Sequence, residues 1–121
     1  MKKFVPTIVF DFDGVIHSYT SGWKGVDVIP DPPVSGIAEA INEIREAGYR
    51  VVVVSTRCAE PNGISAVCKY LCDNGIAVDS VMAEKPPAMV YVDDRALCFD
   101  GNSAGLLEQI RRFKPWYQLE E

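Results

Sequence analysis

Four consecutive valines, Val51-Val52-Val53-Val54, constrain this chain more than any other stretch. Valine is branched at Cβ and stiff at χ1, so a run of it suits a pleated strand far better than a helix. No polar residue alternates with the valines, so both faces of that strand must be covered. Strands of this kind belong to parallel sheets layered with helices. A second run, Val5 to Phe10, reads the same way, and Val78–Met82 and Met89–Val92 read as two further strands. Leu97–Phe99 reads as a short fifth.

Helical periodicity fills the gaps. Ile37, Ile41 and Ile44 fall on one stripe, with Pro33 suited to the first turn and Gly48 to the end. Asn62 to Asn74 forms a second helix, with Val67, Tyr70 and Leu71 toward the sheet and Cys68 and Cys72 as packed thiols. Ser103 caps a last helix, Ala104 to about Phe113, with Leu106, Leu107 and Ile110 inward. Strands alternating with helices predict an α/β domain: a mostly parallel five-stranded sheet with helices on both faces, in three layers. The 121 residues fit a single domain over positions 1–121.

The polar residues that carry chemistry follow the apolar runs. Asp11, Asp13 and Gly14 follow the first, Ser55-Thr56-Arg57 the valines, and Asp93-Asp94 the run ending at Val92. Ligands of open parallel sheets bind beyond the carboxyl ends of the strands, so these groups share one crevice. Carboxylates gathered there repel one another unless a cation or protons intervene. An all-oxygen ligand set selects a hard ion, and Mg2+ is the common one. A hydroxyl, the Arg57 guanidinium and Lys85 nearby are phosphate-binding groups. Together these point to phosphoryl transfer, in which a carboxylate can itself be the nucleophile.

Composition narrows the field. The net charge of −5 is a poor match for a protein that coats nucleic acid, so a nucleic-acid partner is not favoured. Met1-Lys2-Lys3 and the apolar run after it are too short for a secretory leader, and nothing approaches a membrane span. The reading is a cytoplasmic protein with free thiols. The four cysteines form no C-x-x-C pair and His17 is the only histidine, which argues against zinc.

Phe10-Asp11-Phe12-Asp13-Gly14-Val15 resembles the first motif of the haloacid dehalogenase (HAD)-like hydrolase superfamily. Ser55, Lys85 and Asp93-Asp94 resemble its second, third and fourth motifs, in the family's order. The resemblance implies a Rossmann-like domain and an enzyme, a HAD-type phosphatase. It implies Asp11 as nucleophile and Asp13 as the acid and base that protonates the leaving oxygen and activates water. Ser55, Thr56, Arg57 and Gly14 would bind the phosphoryl group, and Lys85 would neutralise its charge. Asp11, Asp93, Asp94 and the Asp13 backbone carbonyl would hold Mg2+.

Ser55-Thr56-Arg57 also resembles the phosphatase domain of phage-type polynucleotide kinases, with Arg57 either a substrate contact or a structural ion pair. About twenty residues separate Gly14 from the first helix, enough for a flap over roughly 15–33 and no large cap domain. Tyr19 and Trp23 lie in that flap within reach of a substrate, His17 reads as a flap surface residue, and Trp116 and Tyr117 read as packing for the C-terminal tail. The expected partner is a phosphorylated substrate, a small molecule or a macromolecular end. Two other readings stand beside hydrolysis of small phosphomonoesters: a nucleic-acid end phosphatase, and a low-turnover regulatory module that binds phosphate and metal.

Overall fold

Two neighbouring strands of alternating Val, Ile and Phe build the core. β1 (Thr7–Asp11) and β2 (Arg50–Val54) run parallel with Ile8 beside Val51 and Phe10 beside Val53. β3 (Ser80–Met82) pairs with β2, and β4 (Val90–Val92) pairs with β1. The sheet is four-stranded and all parallel, in the order β3-β2-β1-β4. The computed structural model describes residues 5–118. Met1-Lys2-Lys3 lies outside them.

The helices are α1 (Ile37–Glu46), α2 (Pro61–Asp73) and α3 (Leu106–Arg112). Ile41 of α1 and Val67 and Leu71 of α2 pack into one cluster with Ile8, Phe10, Val51 and Val53. Both helices therefore cover the same face. The cause is topological: β1, β2 and β3 step across the sheet in one direction, and successive right-handed crossovers leave their helices on one side.

The expectation of helices on both faces is corrected accordingly. The opposite face, built from Val9, Val52 and Val54, packs against Met82 and Ala88. Ala88 belongs to the connection from β3 to β4, so a loop covers this face where a helix was expected. α3 buries none of its residues, and Leu107 and Ile110 are each 61% exposed, so their inward placement is overturned as well.

Leu97–Phe99 pairs with no strand among the described residues, which corrects the fifth-strand expectation. Its apolar pattern suits a strand, but a strand exists only where an edge is there to bond it. On α2, the stripe of Val67, Tyr70 and Leu71 is buried as expected. Cys68 and Cys72 are exposed, because at 100° per residue they fall on the next stripe outward. Gly63 seats that helix against the 3-10 turn Thr56–Ala59. A Cβ at Gly63 would lie 1.8 Å from the Arg57 carbonyl oxygen, so only glycine permits the approach. Among the described residues no helix is long and apolar enough to cross a membrane.

Candidate active site

β1 and β4 are neighbours, so the residues that leave their carboxyl ends emerge side by side. Asp11, Asp93 and Asp94 each bring a carboxylate oxygen to within 4.8 Å of the others. The Asp94 side chain is 3% exposed and that of Asp93 15%. Burial, then the Asp94 hydrogen bond and the charges of Asp93 and Asp94, push Asp11 up to about 8. Three carboxylates this close repel one another, and a hard divalent cation would relieve the repulsion. The donor set, oxygen only and without competing thiol or imidazole, fits Mg2+.

Ser55 and Thr56, at the end of β2, join Asp11, Asp13, Asp93 and Asp94 in a crevice of about 350 Å³, rimmed by Tyr19, Trp23 and Arg95. Ser55 is buried, and its Oγ accepts from the Arg57 N–H at 3.2 Å. A larger open groove of about 540 Å³ lies beside Arg45, Arg50 and Asp79, away from these groups. Arg45 and Asp79 already neutralise each other there, and among the described residues no cluster of three acids converges at this groove.

Asp13 stands apart from the three acids. Its Oδ2 accepts from Arg57 Nε at 2.8 Å, and its Oδ1 accepts from Arg57 Nη2 at 3.1 Å and from His17 Nδ1 at 2.8 Å. The far ring nitrogen of His17 accepts from the Asp31 backbone N–H at 3.1 Å, which places the proton on Nδ1. Burial works against the Asp13 charge, but the hydrogen bonds from His17 and Arg57 outweigh it and hold the carboxyl below its usual range.

Arg57 also donates from Nη1 to the carbonyls of Gly25, Val26 and Val28, and its guanidinium lies 4.5 Å from the Trp23 ring centroid. Of the two roles open to Arg57, the structure displays the ion pair. His17 is fully buried, so its placement on the flap surface is corrected. The spacing of four from Asp13 was the only trace of that pairing in the sequence.

Lys85 donates to Asp93 Oδ2 at 3.2 Å and lies 5.5 Å from the Tyr91 ring centroid. It thus reaches the acidic group through Asp93. Gly14 has φ of 85°, and its N–H donates to the His17 carbonyl at 2.8 Å. A Cβ there would sit 2.3 Å from Asp94 Oδ2 and 2.8 Å from the Tyr117 ring.

Trp116 and Tyr117, read from the sequence as packing, touch the site itself. Trp116 Nε1 donates to the Gly14 carbonyl at 2.6 Å, and the Tyr117 hydroxyl donates to Asp94 Oδ2 at 2.7 Å. Burial, then the Asp94 carboxylate, push Tyr117 up to about 12, which keeps the hydroxyl a donor at neutral pH. No spacing rule links Trp116 to Gly14, 102 positions earlier, or Tyr117 to Asp94, 23 positions earlier, so sequence reasoning had no signal for them.

No family model and no curated protein matches the chain. A solved structure of D,D-heptose 1.7-bisphosphate phosphatase from B. bronchiseptica, complexed with magnesium and phosphate, aligns over 78% of this chain and 56% of that one. The identity is 22% and the TM-score 0.49, a superposition too loose to argue from. A chain of the Pnkp1/Rnl/Hen1 complex aligns over 96% of this chain at 16% identity, with a TM-score of 0.52. The present chain spans 37% of that one, and what the likeness establishes is a shared α/β fold.

Proposed function

We propose that the protein is a Mg2+-dependent phosphomonoesterase with an open crevice and Asp11 as its nucleophile. One observation carries the reading: Asp11, Asp93 and Asp94 converge within 4.8 Å at the end of the sheet where Ser55 and Thr56 also open. The order of the four sequence motifs that resemble the HAD-like hydrolases supports it.

A bound Mg2+ would supply charge neutralisation among the acids and on the phosphoryl oxygens. Asp11 then attacks phosphorus with one carboxylate oxygen, the P–O bond to the alcohol breaks, and an aspartyl-phosphate forms. Ser55 Oγ and the Thr56 hydroxyl stand at the crevice wall to donate to the phosphoryl oxygens. Asp13 starts as a carboxylate, because three N–H donors hold it. That state suits the second half of the cycle, in which Asp13 takes a proton from the water that attacks the aspartyl-phosphate. Protonating the leaving alkoxide in the first half requires Asp13 to bear a proton and to give up at least one donor. Lys85, which donates to Asp93, offsets negative charge at the acidic group.

The experiment is hydrolysis of an aryl phosphate and of a panel of phosphomonoesters, with Mg2+ and with excess chelator. Turnover with Mg2+ that falls at least a hundredfold in Asp11→Asn is expected. Undiminished activity in that variant, or in chelator, would overturn the reading. The clamp on Asp13 favours one alternative, a low-turnover module that binds phosphate and metal. Thermal stabilisation by Mg2+ without hydrolysis of any ester would establish it. Within the panel, a 3′-phosphorylated oligonucleotide set against sugar phosphates separates an end phosphatase from a small-molecule enzyme.

A further inference from the structure

The 3-10 turn Trp116–Gln118 reaches the acidic cluster from 102 residues beyond Gly14. The preceding helix, α3, buries no residue, so no packed element carries the turn to this place. Its own contacts seat it. Trp116 Nε1 grips the Gly14 carbonyl, and the Tyr117 hydroxyl grips Asp94 Oδ2. The Tyr117 ring is held edge-on by Tyr19 at 5.6 Å and by Trp116 at 5.6 Å. Gly14 leaves the space that both Asp94 and Tyr117 occupy.

An aspartate carboxylate rotates freely about its last bond unless something holds it, and freezing that rotation on binding an ion costs affinity. Ligating carboxylates are accordingly held by hydrogen bonds from outside the ligand set. With Oδ2 engaged by a hydroxyl donor, the Asp94 carboxylate is held in one orientation within the acidic group. From this geometry we infer that Tyr117 is a positioning residue for Asp94, that Trp116 anchors it, and that the turn Trp116–Gln118 is part of the ion-binding apparatus. The inference rests on the Mg2+ reading proposed above.

Titration calorimetry with MgCl2 alone tests it, on the wild-type chain and on Tyr117→Phe, which removes the hydroxyl and keeps the ring. The dissociation constant for Mg2+ rises about tenfold in Tyr117→Phe, the low end for a lost partner of a ligand. The melting temperature of the metal-free variant falls by no more than about 5 °C, as for one lost hydrogen bond. In turnover assays the half-saturating Mg2+ concentration rises in step, while kcat at saturating Mg2+ is retained. Trp116→Phe, which deletes the N–H donor, moves the same quantities in the same direction. Wild-type affinity for Mg2+ in both variants overturns the inference and leaves the phosphatase reading intact. A wild-type chain that takes up no Mg2+ at millimolar concentration overturns both. A melting temperature that drops by 10 °C or more in both metal-free variants, with unchanged Mg2+ affinity, assigns the turn to stability alone.

Discussion

Arg57 makes five hydrogen bonds from one buried guanidinium: two to Asp13 and three to carbonyls of the flap. Such a group ties Asp13 to the loop that rims the crevice. Arg57→Ala leaves the part-buried Asp13 with His17 alone and strands three carbonyls, so a loss of about 3–5 kcal/mol is expected in urea unfolding. Arg57→Lys retains the charge but loses the planar fork, and recovers less than half of that loss. A loss below about 1 kcal/mol in Arg57→Ala would show that the clamp holds nothing together. The sequence placed Arg57 at the sheet edge, since it directly follows a strand and a Ser-Thr pair. It could not say which way the side chain turns. The same limit hid His17: a lone histidine in a polar stretch carries no sign of being walled in by Phe12 and Tyr70.

Among the elements, α1 is fastened to the start of β3 by Arg45 and Asp79, whose two hydrogen bonds measure 2.9 and 3.2 Å. Asp79 also accepts the backbone N–H of Val51 on β2 at 2.8 Å. The hydrogen bonds from Arg45, then that from Val51, lower Asp79 below its ordinary value of 3.8. A carboxyl lowered on folding stabilises the native state above its unfolded pKa and ceases to as pH falls through its folded one. The Asp79 contribution is therefore full near neutrality and disappears below 3.8. Asp79→Asn should lower the melting temperature at pH 7 and show a smaller decline than wild type between pH 4 and pH 2, read by circular dichroism. An equal decline in both proteins would remove Asp79 from the acid response. Elements of this kind were legible wherever a buried run was long: the four valines, the Ile8–Phe10 stretch, and the stripe of Val67, Tyr70 and Leu71. The strand at Leu97–Phe99 and the inward face of α3 were misread for one shared reason. A periodic pattern shows which face of a segment prefers burial, and says nothing of whether a neighbour is there to bury it.

Across the whole molecule, packing is uneven. One face of the sheet carries α1 and α2 over a continuous core, whereas α3 and the segment before it leave Phe99, Leu107 and Ile110 exposed. Segments without buried contacts open at little cost. Native-state hydrogen exchange should find the α3 amides exchanging orders of magnitude faster than those of Val51–Val54, and Mg2+ should slow exchange at Tyr117 more than within α3. Protection of α3 equal to that of β2 would contradict this gradient. The overall plan of the site, with its acids at the strand ends, was legible from the ordering of runs and polar residues. Its closing piece, Trp116 and Tyr117, was not, since only the folded chain brings them near Gly14.

The strand order has one more consequence. β1 is made before both of its neighbours yet ends up inside, between β2 and β4. As the polypeptide leaves the ribosome, β1 acquires one neighbour after residue 54 and waits for residue 92 to obtain the other. Throughout that interval a hydrophobic β segment ending in Asp11 has a naked margin of N–H and C=O groups, the sort of edge that recruits other chains. Slow translation between those two points, or loss of β4, would leave the segment that ends in Asp11 open to aggregation with other nascent chains.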